Sequence, residues 1–397
     1  MPIAAPGLRD SGMAFDPLGE DVQADPYPVY RWYREHEPVS FNPDLNAWFL
    51  FRFEDVIRAL HDNGVFISGQ GINLNPAPTS AGRTLIGTDN PVHHQLRSAI
   101  SAYFTPRAVS ALEPRVRALV TEHLDAFAGA GGCELMADFA IPIPVIVVGD
   151  LLGVRPEDRP QFREWADVLV HQDPSRPSTT ETAKEAAAAI GSYFTAVIED
   201  RRRHPGEDLI SALLQTTVDG EALPMGDLIG FGFLLIVAGT ETTTNLVGNA
   251  VLAFDRHRDQ YAAVRDDPSL VGGALEEVLR WDAPVQAMAR VAIEDVKFGD
   301  VVIPAGSRVQ MRFGSANHDE AEFADAEAFD IRRSMTRHVG LGHGIHYCLG
   351  AALSRLEGRI MFEELVRRIP DWELVRHDRW PSVEVRGPAH VELSFGG

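Results

Sequence analysis

The sequence predicts a mainly α-helical protein with small β-sheets, and three observations carry that expectation. Apolar residues recur at three- to five-residue steps over most of the chain, the spacing that places them on one face of a helix. Strand-like runs are confined to a hairpin near the N-terminus, a stretch between Ala289 and Arg312, and the tail after Trp372. No linker-like tract, internal repeat or low-complexity segment divides the chain, so residues 1–397 are expected to form a single domain.

Taken in order, Asp25-Pro26-Tyr27-Pro28 opens a helix over Val29–His36, and the runs Val39–Phe41 and Ala47–Arg52 around Asn42-Pro43-Asp44 predict a hairpin. A helix follows over Phe53–Asn63. Ser68–Gly87, dominated by glycine, proline, asparagine and serine, is a loop long enough to be functional. Pro91–Asp125 is helical with a break at Thr105-Pro106. Further helices are predicted over Ile141–Leu152, Pro156–Val170, Glu181–Arg203, Asp208–Thr216, Met225–Arg256 and Val271–Trp281, with the polar segment His171–Thr180 as a candidate lid. Short strands are predicted at Ala289–Ile293, Val301–Ile303, Ser307–Arg312, Trp372–Val375, Val383–Val385 and His390–Ser394.

A formal charge of −21 argues against nucleic acid or an anionic membrane surface as a partner. Lys184 and Lys297 are the only lysines, so positive charge is almost all arginine, suited to fixed bidentate contacts with carboxylates. The first residues lack an apolar signal core, and the most apolar window, Leu228–Gly239, is short of the ~20 residues that cross a bilayer. With two cysteines far apart, Cys133 and Cys348, a reducing, cytoplasmic setting is expected.

The chemistry concentrates in RHVGLGHGIHYCLGAALSRLEGRIMFEELVRRI, Arg337–Ile369. Gly340, Gly342 and Gly344 precede Cys348 in a loop where the backbone can approach a flat ligand closely. After the cysteine, Leu349, Leu353, Leu356, Ile360, Leu365 and Ile369 mark one helix face ending at Pro370. Cys348 is therefore expected at a helix N-terminus, where unpaired N–H groups favour thiolate. As a nucleophile it would need a base, and His346, two residues away in a tight loop, is badly placed. Zinc would need more Cys or His ligands than the nearby His338, His343 and His346 supply in this pattern. One axial thiolate under a planar haem fits better. The segment GHGIHYCLG, closing at Gly350, resembles the haem-binding loop of the soluble bacterial cytochromes P450.

The resemblance extends over nearly the whole chain and implies that family's fold, with haem between a long distal helix and the helix of the cysteine loop. It implies haem b, Cys348 as axial iron ligand, Gly350 against the cofactor, and His93, Arg97, Arg290 and His346 on its two propionates. His93 and Arg97, four residues apart in TDNPVHHQLR, share a helix face. In the distal helix, Ala238-Gly239-Thr240-Glu241-Thr242-Thr243-Thr244 breaks helix-forming rules and suggests a bulge or kink. It resembles the family's acid-alcohol pair, with Ala238 and Gly239 over the cofactor, Gly239 leaving room for dioxygen, and Glu241 and Thr242 relaying protons. Family topology would put Leu234, Val237, Val285 and Gln286 in the substrate pocket, with the Gln286 amide on a polar substituent. Glu277 and Arg280 match the structural Glu-x-x-Arg pair.

Three positions depart from the family pattern: Leu341 stands where phenylalanine is usual, His318 where arginine is common, and Ala328 where an arginine completes the Glu/Arg network, with Arg333 as a substitute. The function implied is monooxygenation of an organic, mostly apolar small molecule by dioxygen, with electrons from a separate ferredoxin and its reductase. A haem-thiolate sensor, or a family member that uses peroxide or does not oxygenate, is the alternative against which the Glu241–Thr242 pair weighs.

Overall fold

The computed structural model describes residues 14–74, 83–170, 181–334 and 337–396. The candidate lid at 171–180 and residues 75–82 of the predicted loop lie outside these. The principal helices are α1 (Pro26–His36), α2 (Phe53–His61), α3 (Val92–Ile100), α4 (Glu113–Phe127), α5 (Pro142–Leu151), α6 (Arg159–Val170), α7 (Glu181–Arg203), α8 (Leu209–Leu214), α9 (Met225–Arg256), α10 (Val271–Trp281) and α11 (Ala351–Arg368). The strands used below are β1 (Val39–Asn42), β2 (Ala47–Leu50), β3 (Phe66–Ile67), β4 (Gly132–Glu134), β5 (Ala287–Ala292), β6 (Arg308–Arg312), β7 (Trp372–Arg379) and β8 (Pro388–Phe395).

The mainly helical expectation holds, and the helix ends follow local chemistry. Asp25 accepts from the Tyr27 N–H with Pro26 in the first turn, which starts α1 three residues before the predicted Val29. Asp208 caps α8 on the Ser211 N–H at 2.8 Å. Helix α9 runs continuously through Ala238–Thr244, so the predicted bulge is absent. The threonines are accommodated because the Thr242 hydroxyl donates to Ala238 O, four residues back, at 2.8 Å.

Two sheets flank the helices. The larger has the order β1-β2-β6-β5-β3, with the predicted β1–β2 hairpin antiparallel and β6 parallel to β2. Arg290 on β5 stands opposite Val309 on β6. The smaller sheet, β7-β8-β4, joins the tail to the strand holding Cys133. The strand predicted at Val383–Val385 is reduced to one bridge, Val285 to Val385.

Val247, Ala250, Val251 and Phe254 of α9 are fully buried in the helical core together with Leu275 of α10 and Met361 and Phe362 of α11. Each of the larger side chains contributes about 1.5–3 kcal/mol by leaving water. Among the described helices α9 alone is long and apolar enough to cross a membrane. Here its second half, Thr243–Phe254, is core, while its first half faces a cavity.

Candidate active site

That cavity, about 1540 Å³ including its open mouth, lies between α9 and the loop before α11. Cys348 is on one side, its thiol buried. Its N–H donates to Leu341 O at 2.9 Å, which closes the loop on itself. Gly344 has φ +68°, and a Cβ there would stand 2.4 Å from Leu60 O, so only glycine allows this loop to lie against α2. Helix α11 begins at Ala351, with Gly350 as its N-cap, so Cys348 precedes the first turn rather than occupying it. Burial pushes the thiol up, opposed by the Gly350 N–H and by the charges of Arg97 and Arg355. The expected stabilisation of thiolate by neighbouring donors is present but is the smaller effect here, burial outweighing it.

At one rim of the cavity the structure brings together the four predicted cations. Arg97, Arg290 and His346 line it, and His93 packs behind, its ring 4.3 Å from that of His346. Arg290 is 4 % exposed, and among the described residues its guanidinium donates to Ala289 O at 2.7 Å and to no side chain. Arg97 donates to Tyr347 O at 2.7 Å. His346 Nε2 meets the Ser68 hydroxyl at 3.0 Å, and the buried Nε2 of His93 has no partner among the described residues. Burial, with neighbouring cations adding to it, holds His93 down at about 4 and His346 at about 3, and burial holds Arg290 at about 10 against the opposing charge of Asp89. Among the described residues no carboxylate pairs with Arg97 or Arg290. A partly buried cluster of cation-forming groups whose one nearby opposing charge, Asp89, makes no ion pair with it among the described residues is complementary to an anionic ligand.

On α9, Phe231, Leu234, Leu235, Ala238, Gly239, Thr242, Thr243 and Leu246 line the cavity, a face with steps of three and four. Val237 falls off that face and is 39 % exposed, so its predicted pocket role is corrected. Gly239 is a wall residue, but its Cα–H points at α5, where a Cβ would meet Val148 Cγ2 at 2.7 Å; helix packing demands this glycine. Glu241 is one step off the lining face beside Thr242. Burial first, and the charge of Glu384 second, push its carboxyl up to about 7. Val285 lines the cavity as predicted, but Gln286 does not. Its amide donates to Ala283 O at 2.9 Å and accepts from the Tyr30 hydroxyl at 3.4 Å, so it is satisfied inside the protein and corrected as a substrate contact.

One acid was missed. Glu357 of α11 lines the same cavity, is fully buried, and leaves Oε2 without a partner. Burial pushes it up to about 8. Its signal in the sequence was a lone carboxylate next to Leu356 on the apolar face of α11.

Comparison with known proteins gives the same answer as the geometry. A family model described as Cytochrome P450 matches residues 161–383. Cytochrome P450 107B1 of Saccharopolyspora erythraea is 42 % identical over 86 % of this chain and 88 % of its own length. The chain belongs to the cytochrome P450 family. Cytochrome P450 monooxygenase PikC of Streptomyces venezuelae is 38 % identical over 94 % of the chain and 89 % of PikC. Among solved structures, cytochrome P450 CYP109Q5 from Chondromyces apiculatus superposes with a TM-score of 0.88 at 36 % identity, covering 96 % of this chain and 98 % of that one. CYP109E1 from Bacillus megaterium in complex with corticosterone superposes with a TM-score of 0.85 at 32 % identity, over 94 % and 99 %. The protein is thus a bacterial-type cytochrome P450 monooxygenase by family, and that family implies a haem-iron cofactor.

The residues of this cytochrome P450 fit that cofactor: a lone buried sulfur beneath apolar walls, and at the rim a cation set whose partners are missing from the protein. Of the departures, Leu341 lines the cavity and gives its carbonyl to Cys348, so no aromatic ring stands there. His318 stacks on Tyr27 at 4.2 Å and its Nε2 meets Trp281 O at 2.8 Å. Arg333 does take the place left by Ala328, its Nε reaching Glu277 Oε1 at 3.3 Å.

Proposed function

We propose that this cytochrome P450 inserts one atom of dioxygen into an organic, mostly apolar small molecule, using haem b and electrons from a separate ferredoxin and ferredoxin reductase. The observation that carries this reading is the chamber itself, with Cys348 on one wall and Thr242, flanked by Glu241, on another. Cys348 would be the axial ligand, Gly350 and the Gly340–Gly344 loop would lie against the macrocycle, and Arg290, Arg97, His93 and His346 would hold the propionates. The bound group supplies the activation of dioxygen by two electrons.

This chain's own residues then bind and deliver protons. Glu241, its carboxyl pushed up to about 7, can take up and release a proton near neutral pH. The Thr242 hydroxyl donates to Ala238 O at rest and must swing from it to donate into the chamber. Ala238 and Gly239 keep the wall low, and Leu234, Phe231, Val285 and Met288 exclude water and contact apolar substrate. A related structure binds corticosterone and another, P450BioI, a fatty acid ligated to acyl carrier protein, both substantially apolar ligands. On the cysteine side, Arg355 and Arg359 are engaged with Glu276, Glu113 and Glu363, which leaves exposed Arg107 as an arginine for an acidic electron donor.

The decisive measurement is the carbon monoxide difference spectrum of the reduced protein, expected to be that of thiolate-bound iron and to be lost in Cys348→His. With turnover established, Thr242→Ala is expected to divert reducing equivalents to hydrogen peroxide. Unchanged product per NAD(P)H consumed would remove the relay from this reading, and a protein that turns over with peroxide alone would favour the peroxide-using alternative.

A further inference from the structure

Between the cation cluster and the first turn of α9, a short wall segment is suspended from two carboxylates. Leu85 and Ile86, in a single 3-10 turn Leu85–Gly87, both line the chamber. On the C-terminal side of this turn, Asp89 accepts from the Ser68 and Gly69 N–H groups at 2.7 and 2.8 Å, and Thr88 closes the turn on Leu85 O at 3.1 Å. On the N-terminal side, Asp227 of α9 accepts from the Arg83 N–H and from Arg83 Nε, each at 2.8 Å.

The two anchors differ in kind. Asp89 holds main-chain donors one and two residues past β3, close to the cofactor cradle that begins at His93, so it has little freedom to let go. Asp227 is 5 % exposed, yet both its donors belong to one residue whose side chain is 46 % exposed. Water and salt can therefore compete for the guanidinium, whereas an unpartnered buried carboxylate is strongly disfavoured. If the segment lifts as a unit, Asp227 is hydrated at the moment it loses Arg83. The pair thus has two satisfied states, closed with Arg83 and open with water.

We propose that Arg83 and Asp227 form the releasable clasp of the chamber wall, positioning Leu85 and Ile86 against the bound organic molecule and controlling its admission and retention. This rests on reading the chamber as the substrate site. Small ligands that reach the iron without filling the chamber are indifferent to the clasp, and long apolar ones depend on it.

The test uses the haem-containing full chain, with dissociation of imidazole and of 1-octylimidazole followed by stopped-flow at the Soret band. Arg83→Gln and Asp227→Asn are expected to release octylimidazole about tenfold faster, a change of roughly one ion pair, with imidazole within about twofold of the parent. Arg83→Lys, which keeps the charge, is expected to restore most of the retention. Added salt is expected to speed release from the parent protein but not from the two charge-removing variants. Amide hydrogen exchange at Leu85–Gly87 is expected to quicken in Arg83→Gln. Arg83 is exposed, so that variant reports even if Asp227→Asn does not fold. Octylimidazole release unchanged in Arg83→Gln, or both ligands quickened alike, overturns the clasp alone. Failure of octylimidazole to bind while imidazole binds overturns the chamber reading and the clasp with it.

Discussion

Two buried groups of cations in this protein look alike in the sequence and differ in what completes them. Arg280 of α10 is fully buried with Glu277: its Nε and one terminal nitrogen meet the two carboxylate oxygens at 2.8 and 2.7 Å, and its remaining N–H groups donate to the carbonyls of Asn317, Ala326 and Ala328. Arg333 and the Asp330 N–H add two further donors to Glu277. Glu277 and Arg280 answer one another, and the donors left over on Arg280 and Arg333 end on backbone carbonyls of the chain. Around Arg290 the reverse holds: the cations converge, burial shifts each away from its charged form, and among the described residues no carboxylate forms an ion pair with them, Asp89 acting only from a distance. A closed network is scaffold, whereas an open one is half of a binding site whose other half is a ligand.

The comparison can be broken first at its closed end. Glu277→Ala leaves Arg280 buried without its anion, and is expected to cost about 3–5 kcal/mol, enough to prevent accumulation of folded protein; a cooperative thermal transition near that of the parent would show the network to be dispensable.

At the open end the sign reverses. Arg290→Leu removes a buried cation that the apoprotein does not pair, so apoprotein stability is expected to be equal or greater, while haem affinity falls about 10- to 100-fold. Calorimetry of the apoprotein and haem transfer to apomyoglobin read the two quantities separately.

The open cluster also sets a pH dependence. His93 and His346 have folded values of about 4 and about 3, below the ordinary 6.5. Groups depressed on folding take up more protons when unfolded, so the stability that they contribute is present above about 6.5 and is lost as pH falls towards 4 and below. Apoprotein thermal stability is expected to fall over that window, and less so with haem bound, whose propionates favour the charged imidazoles. An equal fall in both forms would mean that the histidines do not meet the propionates.

The smallest effect is expected at Arg333, an auxiliary partner of Glu277. Arg333→Lys keeps the charge but loses the contacts to Asp325 O and Ala328 O, costing about 1 kcal/mol in denaturant unfolding with haem affinity unmoved.

Much of this was legible before any coordinates. The cysteine loop and the span of α9 follow from local spacing and glycine placement, because one helix face or one turn is encoded by residues adjacent in sequence, whereas the cation set was named only through the family resemblance. Val237 was not legible: it stands three residues after Leu234, a step that fits the lining face, and only the structure shows it 39 % exposed and off the cavity wall. Gln286 was not, since only the fold brings Tyr30 within reach of its amide, 256 residues away in sequence. Nor was the reason for Gly239, which is Val148 on a different helix.

The amino-acid sequence by itself determined the glycine-bracketed cysteine loop and the helices on either side of the chamber, because glycine placement and helical periodicity are properties of short stretches. Which cations are left without a counter-charge, which carboxylates burial moves towards neutrality, and which two segments Asp227 ties together were decided only by the tertiary structure. Desolvation and pairing depend on what the rest of the chain places within a few ångströms, and no local pattern contains that.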